Sequence, residues 1–368
     1  MHVIRISKRL PPSPGGLEQH ALRVSLEQAE LGVHTLLVFS NGFVPEMPHV
    51  QRILISKQHE VYRPELLSDF IFMKEASRVI RASCYQADVV HTHGGAMLCA
   101  SGASLARHLG AVHCHTIHGA LSNTYVRNRI WSRALASSDH IFCVSKAIEK
   151  FVRSLSATSV SVRSSGFDPL IFYPLRSDLP SFPPWKLITV GRLHPVKGLN
   201  VLLDACLLLK SKEVAYQLDV VGDGSLRDSY EKIARENHLP VTFHGALGSA
   251  KVAEMLRQSH IFVNSSVTLP QQSEGTPTAI IEAMACALPI VATDNGGTSE
   301  IIINKKTGLL CPENSPLSIA LAIEELIGNP ELRQRLGAVA HEYIEGYSWA
   351  EVAKNLLVKY KEILSSSQ

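Results

Sequence analysis

Short apolar runs alternate with amphipathic stretches along the whole chain. The apolar runs predict strands in the first half of the chain, at residues 2–7, 34–39, 50–55, 88–92, 112–117, 140–144 and 160–164. Apolar residues at helical spacing predict helices between most of them, at 17–32, 64–84, 95–109, 122–137 and 145–155. This alternation is typical of an α/β fold with a parallel sheet.

A second series of the same kind follows a break in the pattern. Residues 166–184 contain five prolines and little periodicity, which predicts a linker. The strands predicted beyond it are 186–191, 217–222, 241–245, 261–264 and 290–293, and the helices are 198–211, 225–237, 249–258, 277–287, 316–328, 330–345 and 349–364. We therefore expect two doubly wound domains that face a cleft, with ligands at the carboxyl ends of the strands.

The composition narrows the class of protein. The chain of 368 residues is 45% hydrophobic and 19% charged, which is typical of a soluble globular protein, and no apolar run has the length of a membrane span. The N-terminus lacks the apolar core of a secretory signal, and the seven scattered cysteines form no CxxC pair. We expect reduced thiols and a cytoplasmic location.

The charge is distributed unevenly along the chain. Residues 1–170 hold 18 Lys and Arg against 12 Asp and Glu, whereas residues 171–368 hold 18 against 21. Either this is ordinary scatter, or the first domain faces an anionic acceptor or a membrane surface. The segment 122–133, SNTYVRNRIWSR, also has two interpretations. It is either a basic, aromatic helix that contacts a lipid surface or an anionic glycan, or a solvated helix with one buried face.

The segment SEGTPTAIIE carries two carboxylates around a predicted helix start. Thr276 suits the N-cap, and Pro277 suits the first helical position. Glu274 then lies on the loop before the helix, Glu282 lies in its second turn, and the free amides of the helix end lie between them. Carboxylates hold hydroxyl groups and amides hold negative oxygens, and a nucleotide sugar carries both.

Two cations bracket the turn after the first strand of the second series. Arg192 and Lys197 belong to the sequence GRLHPVKG. Arginine offers phosphate oxygens a planar fork and lysine offers a compact charge, so the pair predicts a phosphate site. Two solvated loop cations are the alternative.

Glycine-rich turns follow several predicted strands, and each either approaches a ligand closely or forms a tight turn. Gly15 and Gly16, in PSPGG, precede the first helix, whose free amides suit a phosphate. The residues of the second series that would frame a nucleotide base are Gly222, His244, Gly245 and Leu247. A nicotinamide cofactor fits poorly, because no GxGxxG motif is present and no acidic residue ends the second strand.

Histidines stand at the ends of two strands of the first series. His91 and His93 belong to HTHG, and His118 belongs to IHG. A histidine at the carboxyl end of a strand donates to a sugar hydroxyl or handles a proton near neutral pH, or it is a satisfied core residue. The HxH spacing does not predict a metal site, because no carboxylate or cysteine nearby completes one.

Together these motifs resemble those of the family-4 retaining glycosyltransferases, which have the GT-B fold. The resemblance covers nearly the full chain, and its most specific part is EGTPTAIIEAMACALPIVAT at 274–293. The other matching motifs are PGG, HTHG, IHG, VSKAI, GFD, GRLHPVKG, VGDG and GGTSEII. Ala287 stands where the family usually has glycine, and Thr276-Pro277 replaces the commoner aromatic-glycine pair.

The resemblance implies a division into domains. An N-terminal, acceptor-side Rossmann-like domain would cover residues 1–168, a linker 169–185, and a C-terminal nucleotide-sugar-binding domain 186–347. Residues 348–368 would form a helix that crosses back to the first domain, and we place that crossing at Tyr347-Ser348-Trp349.

The resemblance also implies roles for the site residues. Glu274 would hold hydroxyls of the transferred sugar, and Glu282 would hold those of the ribose. Arg192 and Lys197 would clamp the diphosphate, and His118 would lie beside the sugar at the reaction centre. Further donor contacts would come from Gly16 and from the segment Gly275, Thr276, Pro277 and Thr278.

The implied activity is transfer of a hexose or N-acetylhexosamine from a nucleotide sugar, for which we expect UDP. The expected acceptor is a glycan or lipid-linked molecule of the cell envelope, such as lipopolysaccharide, with contact to the inner membrane surface and none to nucleic acid. No metal or other cofactor is expected, since no DxD pair is present and the two cations neutralise the leaving diphosphate. The alternatives are a nucleotide-sugar 2-epimerase, an NAD-dependent dehydrogenase and a non-catalytic nucleotide-sugar-binding module.

Overall fold

A computed structural model describes residues 1–12, 16–56, 65–119, 125–175, 183–269 and 275–366, without the side chains of 125–127. The chain divides into two compact units, Met1–Gly166 with Trp349–Gln368, and Phe167–Ser348. It therefore returns from the second unit to the first between Ser348 and Trp349. The α/β fold class and the final helix that crosses back are confirmed.

The first unit is built on a seven-stranded parallel sheet with strand order β3-β2-β1-β4-β5-β6-β7. Its strands are β1 His2–Ser7, β2 His34–Phe39, β3 Val50–Leu54, β4 Val89–His93, β5 Val112–Ile117, β6 His140–Cys143 and β7 Val160–Val162. Its helices are α1 Gly16–Glu30, α2 Glu65–Ala82, α3 Ala96–Leu109, α4 Tyr125–Ala136, α5 Lys146–Leu155 and α13 Trp349–Ser366.

Helices cover both faces of this first sheet. Ile4 of β1 lies in one apolar cluster with Phe72 of α2 and Leu105 of α3. Val3 lies in another cluster, with Val24 of α1 and Trp349 of α13. Because successive strand residues point to opposite faces, α1 and α13 cover the face away from α2 and α3.

Arg5, in the middle of β1, connects α13 to the rest of the first unit. Its guanidinium group is fully buried and donates hydrogen bonds to Ser25 Oγ at 2.8 Å and Gln28 Oε1 at 2.9 Å. A third bond runs to the hydroxyl oxygen of Tyr360 at 3.0 Å, and that hydroxyl also bonds to Nδ1 of His91. Since a buried charged group needs hydrogen-bond partners, α13 completes a network that the earlier elements leave unfinished.

The second unit is built on a six-stranded parallel sheet with strand order β10-β9-β8-β11-β12-β13. Its strands are β8 Trp185–Val190, β9 Tyr216–Val221, β10 Val241–Gly245, β11 Ile261–Asn264, β12 Ile290–Thr293 and β13 Leu309–Cys311. Its helices are α6 Leu199–Ser211, α7 Arg227–Glu236, α8 Ser249–Arg257, α9 Thr278–Ala285, α10 Thr298–Ile301, α11 Pro316–Gly328 and α12 Pro330–Tyr343. The sequence did not predict β13 or α10, because three and four residues are too few to display a period.

Part of the segment predicted as a linker belongs to the second unit. Phe167 and Phe172 are buried in its core, and the Phe167 amide donates to the Tyr347 carbonyl at 3.0 Å. Because both phenylalanines pack into this core, the start of the predicted linker is part of the second unit, which begins at Phe167. Residues 176–182 of the predicted linker lie outside the described residues.

The end of α9 requires a residue in the left-handed region. Ala287 has a φ of 56°, and the Leu288 amide donates to the Ala283 carbonyl at 3.0 Å, as in a Schellman motif. Glycine adopts this conformation without the steric cost that alanine carries. The geometry explains why glycine is the usual residue here in the family that the sequence resembles.

We expect Ala287→Gly to raise the free energy of unfolding by about 1 kcal/mol, because it removes the left-handed strain. Thermal unfolding measures the change. Ala285→Gly, inside the same helix, is the matched control and should lower the free energy of unfolding by roughly 1 kcal/mol or more. A lower melting temperature for Ala287→Gly would contradict the strain.

Candidate functional site

The strand order of the second sheet reverses between β8 and β11, since β9 and β10 lie on one side of this pair and β12 and β13 on the other. Such a reversal leaves a crevice at the carboxyl ends of the two strands, where ligands of doubly wound sheets bind. A pocket lies there, and its lining includes Gly191, Arg192, Lys197, Asn264, Ser265 and Ser266. The structure thus brings together the two cations of the predicted phosphate site.

Neighbouring strands hold the turn that carries these cations. The Gly191 amide donates to the Val221 carbonyl at 2.9 Å, which fixes the start of the turn to β9. The Lys197 carbonyl accepts a hydrogen bond from Ser265 Oγ at 3.1 Å, which fixes its end to the residue after β11. Arg192 is exposed and Lys197 is half-buried. The two charges are therefore mounted on a backbone that the sheet positions.

Two glycines permit the close packing of this turn. Gly222 has a φ of 136°, and a Cβ atom there would lie 1.9 Å from the Gly191 carbonyl oxygen. Gly198 has a φ of 58°, and a Cβ atom there would lie 2.1 Å from the Ser265 carbonyl oxygen. Gly222, predicted to frame a base, thus has a packing role that positions the turn of Arg192 and Lys197.

The other residues predicted to frame a base are engaged inside the second unit. His244 Nε2 bonds to Asp219 Oδ1 at 2.6 Å, inside β9 and short of its carboxyl end. The Gly245 carbonyl accepts from the Gly222 amide at 2.8 Å, and Leu247 packs against the apolar core. These hydrogen bonds and packing contacts stabilise the second unit. Binding of a nucleotide base by the remaining backbone atoms stays a prediction.

Helix α9 begins later than the sequence predicts. Its first residue is Thr278, and Pro277 occupies the N-cap without a side-chain hydrogen bond, so Thr276 is not the N-cap. Among the described residues no side chain caps this helix, which leaves first-turn amides for a ligand. Gly275 is buried and Thr276 is half-buried. Glu274 lies outside the described residues.

Glu282 lies in the second turn of α9, where the sequence predicts it, and is half-buried. Desolvation raises the pKa of its carboxyl group to about 8. The group is therefore largely protonated at neutral pH in the free protein. Hydroxyl groups that donate hydrogen bonds to a carboxylate favour its charged form and lower its pKa.

The first sheet reverses its strand order between β1 and β4, which places a second crevice at the end of β4. His93 is the last residue of β4, and His118 follows β5. Nδ1 of His93 and Nε2 of His118 are 3.0 Å apart, so the structure brings these two predicted residues together. Gly16 is the first residue of α1, and Gly15 lies outside the described ranges.

His91 is a satisfied core residue, which was the alternative that the sequence left open. It is fully buried, and its Nε2 lies 2.7 Å from Thr116 Oγ1. His113 and His115 of β5 are also buried, and both bond to Thr92 Oγ1, at 2.9 and 2.7 Å. The sequence does not predict this polar layer, because hydrophobic periodicity assigns histidines to no face of the sheet.

The histidines around His118 are held neutral. Burial lowers the pKa of His20 to about 3, and the nearby charge of Arg5 adds to the effect. Burial, together with the neighbouring His91 and His118, keeps the pKa of His93 well below its usual range. Burial and His20 do the same for the pKa of His118. A neutral imidazole has one donor and one acceptor nitrogen.

A groove of about 630 Å³ lies between α3 and α4. Its charged lining residues are Arg107, Arg129 and Arg133. The sequence from 89 to 138, which includes both helices, contains no acidic residue. Trp131 is buried, so the segment predicted as basic and aromatic turns arginines outward and this tryptophan inward.

The described part of the chain contains neither a group of metal-binding side chains nor a membrane-spanning helix. Within it, no three His, Cys, Asp or Glu side chains are grouped so that they would hold a metal ion. No helix in the same ranges has both the length and the apolarity needed to cross a bilayer.

Comparison with known proteins identifies the family. The family model for glycosyl transferases group 1 matches residues 178–343, and the model for glycosyltransferase family 4 matches residues 14–169. An uncharacterized glycosyltransferase of Methanocaldococcus jannaschii is 30% identical over 281 residues, which are 75% of this chain and 76% of that relative. The chain is a family-4 glycosyltransferase.

Solved structures agree with the GT-B fold of this glycosyltransferase. Sucrose-phosphate synthase from Thermosynechococcus elongatus has a TM-score of 0.85 over 100% of both chains, at 22% sequence identity. Anabaena HepE in complex with UDP-glucose has a TM-score of 0.79 over 100% of both chains, at 16% identity. At these identities the similarity shows the fold alone. The predicted family and fold are confirmed.

We expect Glu282→Gln to stabilise the free glycosyltransferase at pH 8. A folded pKa of about 8, against an ordinary value of 4.5, means that the folded state binds the extra proton between these two values. Wild-type stability therefore falls as pH rises through that window, and the glutamine variant escapes this loss. Thermal unfolding at pH 5 and pH 8 should show an advantage that grows to on the order of 2 kcal/mol.

The matched control is Glu331→Gln, which changes an exposed glutamate of α12 in the same unit. Its effect should be small at both pH values. An equal effect of the two substitutions at pH 8 would show that burial does not raise the pKa of Glu282.

Proposed function

We propose that this glycosyltransferase moves a hexose or N-acetylhexosamine from a UDP-sugar to a glycan or lipid-linked acceptor, with retention at the anomeric carbon and without a metal ion. The observation that carries the proposal is the pocket at the β8–β11 reversal, which Arg192 and Lys197 both line. The complex of the structurally similar HepE with UDP-glucose supports UDP as the nucleotide.

The donor diphosphate suits the charges of this pocket. Arg192 and Lys197 supply two positive charges. In this proposal the first-turn amides of α9, which no side chain of the described residues caps, also contact the diphosphate. We assign the ribose hydroxyls to Glu282, whose raised pKa falls when such donors reach it. Glu274 takes the sugar hydroxyls in this proposal.

The proposed reaction breaks the bond between the anomeric carbon and the phosphate oxygen, and the electron pair leaves with UDP. Arg192 and Lys197 stabilise the growing negative charge, at about 3 kcal/mol for a well-placed donor. The acceptor hydroxyl forms the new bond on the face that UDP leaves, and its proton passes to the departing phosphate oxygen. Entry on that face retains the anomeric configuration.

His118 contributes a hydrogen bond to the transferred sugar in this proposal. Its pKa lies well below the usual range because of burial and of His20, so the ring is neutral under ordinary conditions. A neutral ring cannot serve as a cationic acid, but it donates one N–H to a sugar oxygen. We therefore give His118 an orienting role at the sugar, and leave the charge on the diphosphate to Arg192 and Lys197.

The groove between α3 and α4 supports an acceptor side that works at a membrane. Arg107, Arg129 and Arg133 line it, and arginine forks match the geometry of phosphate oxygens. We propose that this groove contacts the phosphates of anionic lipid headgroups, so that the enzyme is peripheral to the cytoplasmic membrane face. Envelope polysaccharides, including lipopolysaccharide, are the acceptors that such a location favours.

A nucleotide-release assay tests the proposed reaction. UDP-, GDP- and ADP-sugars are offered with candidate acceptors in the presence of EDTA, and we expect release of UDP and an α-linked product from an α-linked donor. Lys197→Ala and Arg192→Ala should each lower kcat roughly 100-fold or more, because each removes charge stabilisation of the leaving group. Lys232→Ala removes an exposed charge from the same unit and serves as the control.

Other outcomes of this assay distinguish the alternatives. A β-linked product seen by NMR would contradict retention, and activity that EDTA abolishes would contradict metal independence. Isomerised donor in the absence of acceptor would identify an epimerase. Binding of UDP without turnover of any donor would identify a non-catalytic module.

Vesicle sedimentation tests the proposed membrane contact. We expect the protein to bind phosphatidylglycerol vesicles more strongly than phosphatidylcholine vesicles, and less strongly at high salt because the attraction is electrostatic. Arg129→Ala with Arg133→Ala should weaken binding at least 10-fold, at roughly 1 kcal/mol per charge. Lys354→Ala with Lys361→Ala removes the same charge from α13 on the opposite face and should change binding little. Equal losses in the two double variants would argue against the groove.

A further inference from the structure

We propose that His93 is a positioning residue that keeps His118 in the tautomer with its proton on Nδ1. The catalytic consequence of this tautomer rests on the proposed function, whereas the tautomer itself is a property of the folded protein. Three features of the first unit carry the inference: the bond between the two rings, the unpartnered nitrogen of His93, and the contacts that fix both rings.

The bond between the rings joins Nδ1 of His93 to Nε2 of His118 at 3.0 Å. His93 is only 1% exposed, and its ring stacks on His91 with centroids 4.5 Å apart and an interplanar angle of 13°. His91 is in turn fixed by Thr116 and Tyr360. The orientation of the His93 ring is therefore determined by the core, independently of any ligand.

The direction of the hydrogen bond follows from the other nitrogen of His93. Nε2 of His93 is buried and has no hydrogen-bond partner among the described residues. Leaving a buried N–H without an acceptor is rarer in proteins than leaving an acceptor unfilled. The proton of the neutral His93 ring therefore belongs on Nδ1, which donates it to Nε2 of His118. A neutral His118 that accepts at Nε2 carries its own proton on Nδ1.

His20 also packs against the His118 ring. The two rings meet edge to face, with centroids 4.9 Å apart and an interplanar angle of 77°. His20 is 2% exposed and packs edge to face against Trp349 of α13, with centroids 5.5 Å apart. The hydrogen bond with His93 and the ring contact with His20 thus restrain the half-buried His118 ring, and with it the direction of its Nδ1–H bond.

This arrangement reverses the ordinary preference of the side chain. An unperturbed neutral histidine favours the tautomer with the proton on Nε2. With Nε2 occupied by His93, His118 has a fixed N–H donor at Nδ1, which suits an oxygen of the transferred sugar. His93 needs no contact with the ligand, because it acts through the proton position of His118.

Histidine tautomers are read directly by long-range ¹H–¹⁵N correlation on the ¹⁵N-histidine-labelled full chain, with His118→Asn used to assign the signals. We expect His118 to show a protonated Nδ1 in the wild type and to revert toward protonated Nε2 in His93→Phe, which keeps a stacked ring but removes the bond. His93→Asn places an amide near the position of Nδ1 and should retain the wild-type pattern. His113→Phe, an equally buried ring without contact to His118, should leave the tautomer unchanged.

Kinetics of the same variants test the consequence. We expect His93→Phe to lower kcat roughly 10- to 100-fold with the Kd for UDP within about 2-fold of wild type, because UDP lacks the sugar that His118 contacts. His93→Asn should recover most of that loss, whereas destabilisation alone would lower the active fraction and leave kcat per folded molecule unchanged.

The tautomer measurement and the activity measurement distinguish an error in the role of His93 from an error in the proposed function. A wild-type His118 protonated on Nε2 overturns the inference, whatever the activity. The expected tautomers in a protein that transfers no sugar support the positioning and overturn the function. The expected tautomers with an undiminished kcat in His93→Phe overturn the link between tautomer and catalysis.

Discussion

The close packing of Gly222 against the carbonyl of Gly191 is the constraint on which the candidate phosphate site of this glycosyltransferase depends. Strands β8 and β9 approach so closely there that no side chain fits between them. The turn that follows Gly191 is consequently pressed against β9 at one end and tied to Ser265 at the other. The positions of Arg192 and Lys197 are a result of backbone packing, so the charges are organised before any ligand arrives.

Most of the fold could be predicted from the sequence because its elements are long and periodic. In β1, for example, Val3 lies in the apolar cluster on one face of the sheet and Ile4 and Ile6 lie in the cluster on the other, as expected for a strand covered on both faces. Short elements such as β13 could not be predicted, because so few residues show no hydrophobic periodicity. The start of α9 was misplaced because Thr276 and Pro277 are both acceptable at a helix start, and only the tertiary position of the backbone chooses between them.

The candidate site was predictable where it depends on strand ends and unpredictable where it depends on pairs of side chains. Arg192 and Lys197 follow a strand of the second sheet, and His118 follows a strand of the first. Within each sheet, parallel strands bring such residues to the carboxyl edge. The bond from His93 to His118 joins residues of neighbouring strands in the finished sheet, and His20 reaches them from α1. Sequence spacing contains no information on those ring orientations.

The hydrogen bonds of Arg5 also determine the order in which the two units can be completed during synthesis. Arg5 is synthesised 355 residues before Tyr360, which is one of its hydrogen-bond partners. The second unit is continuous in sequence and has all its strands once Ser348 has emerged. The first unit stays incomplete until α13 is synthesised, because α13 covers part of one face of its sheet. In this chain the domain that is translated first is therefore the one that is completed last.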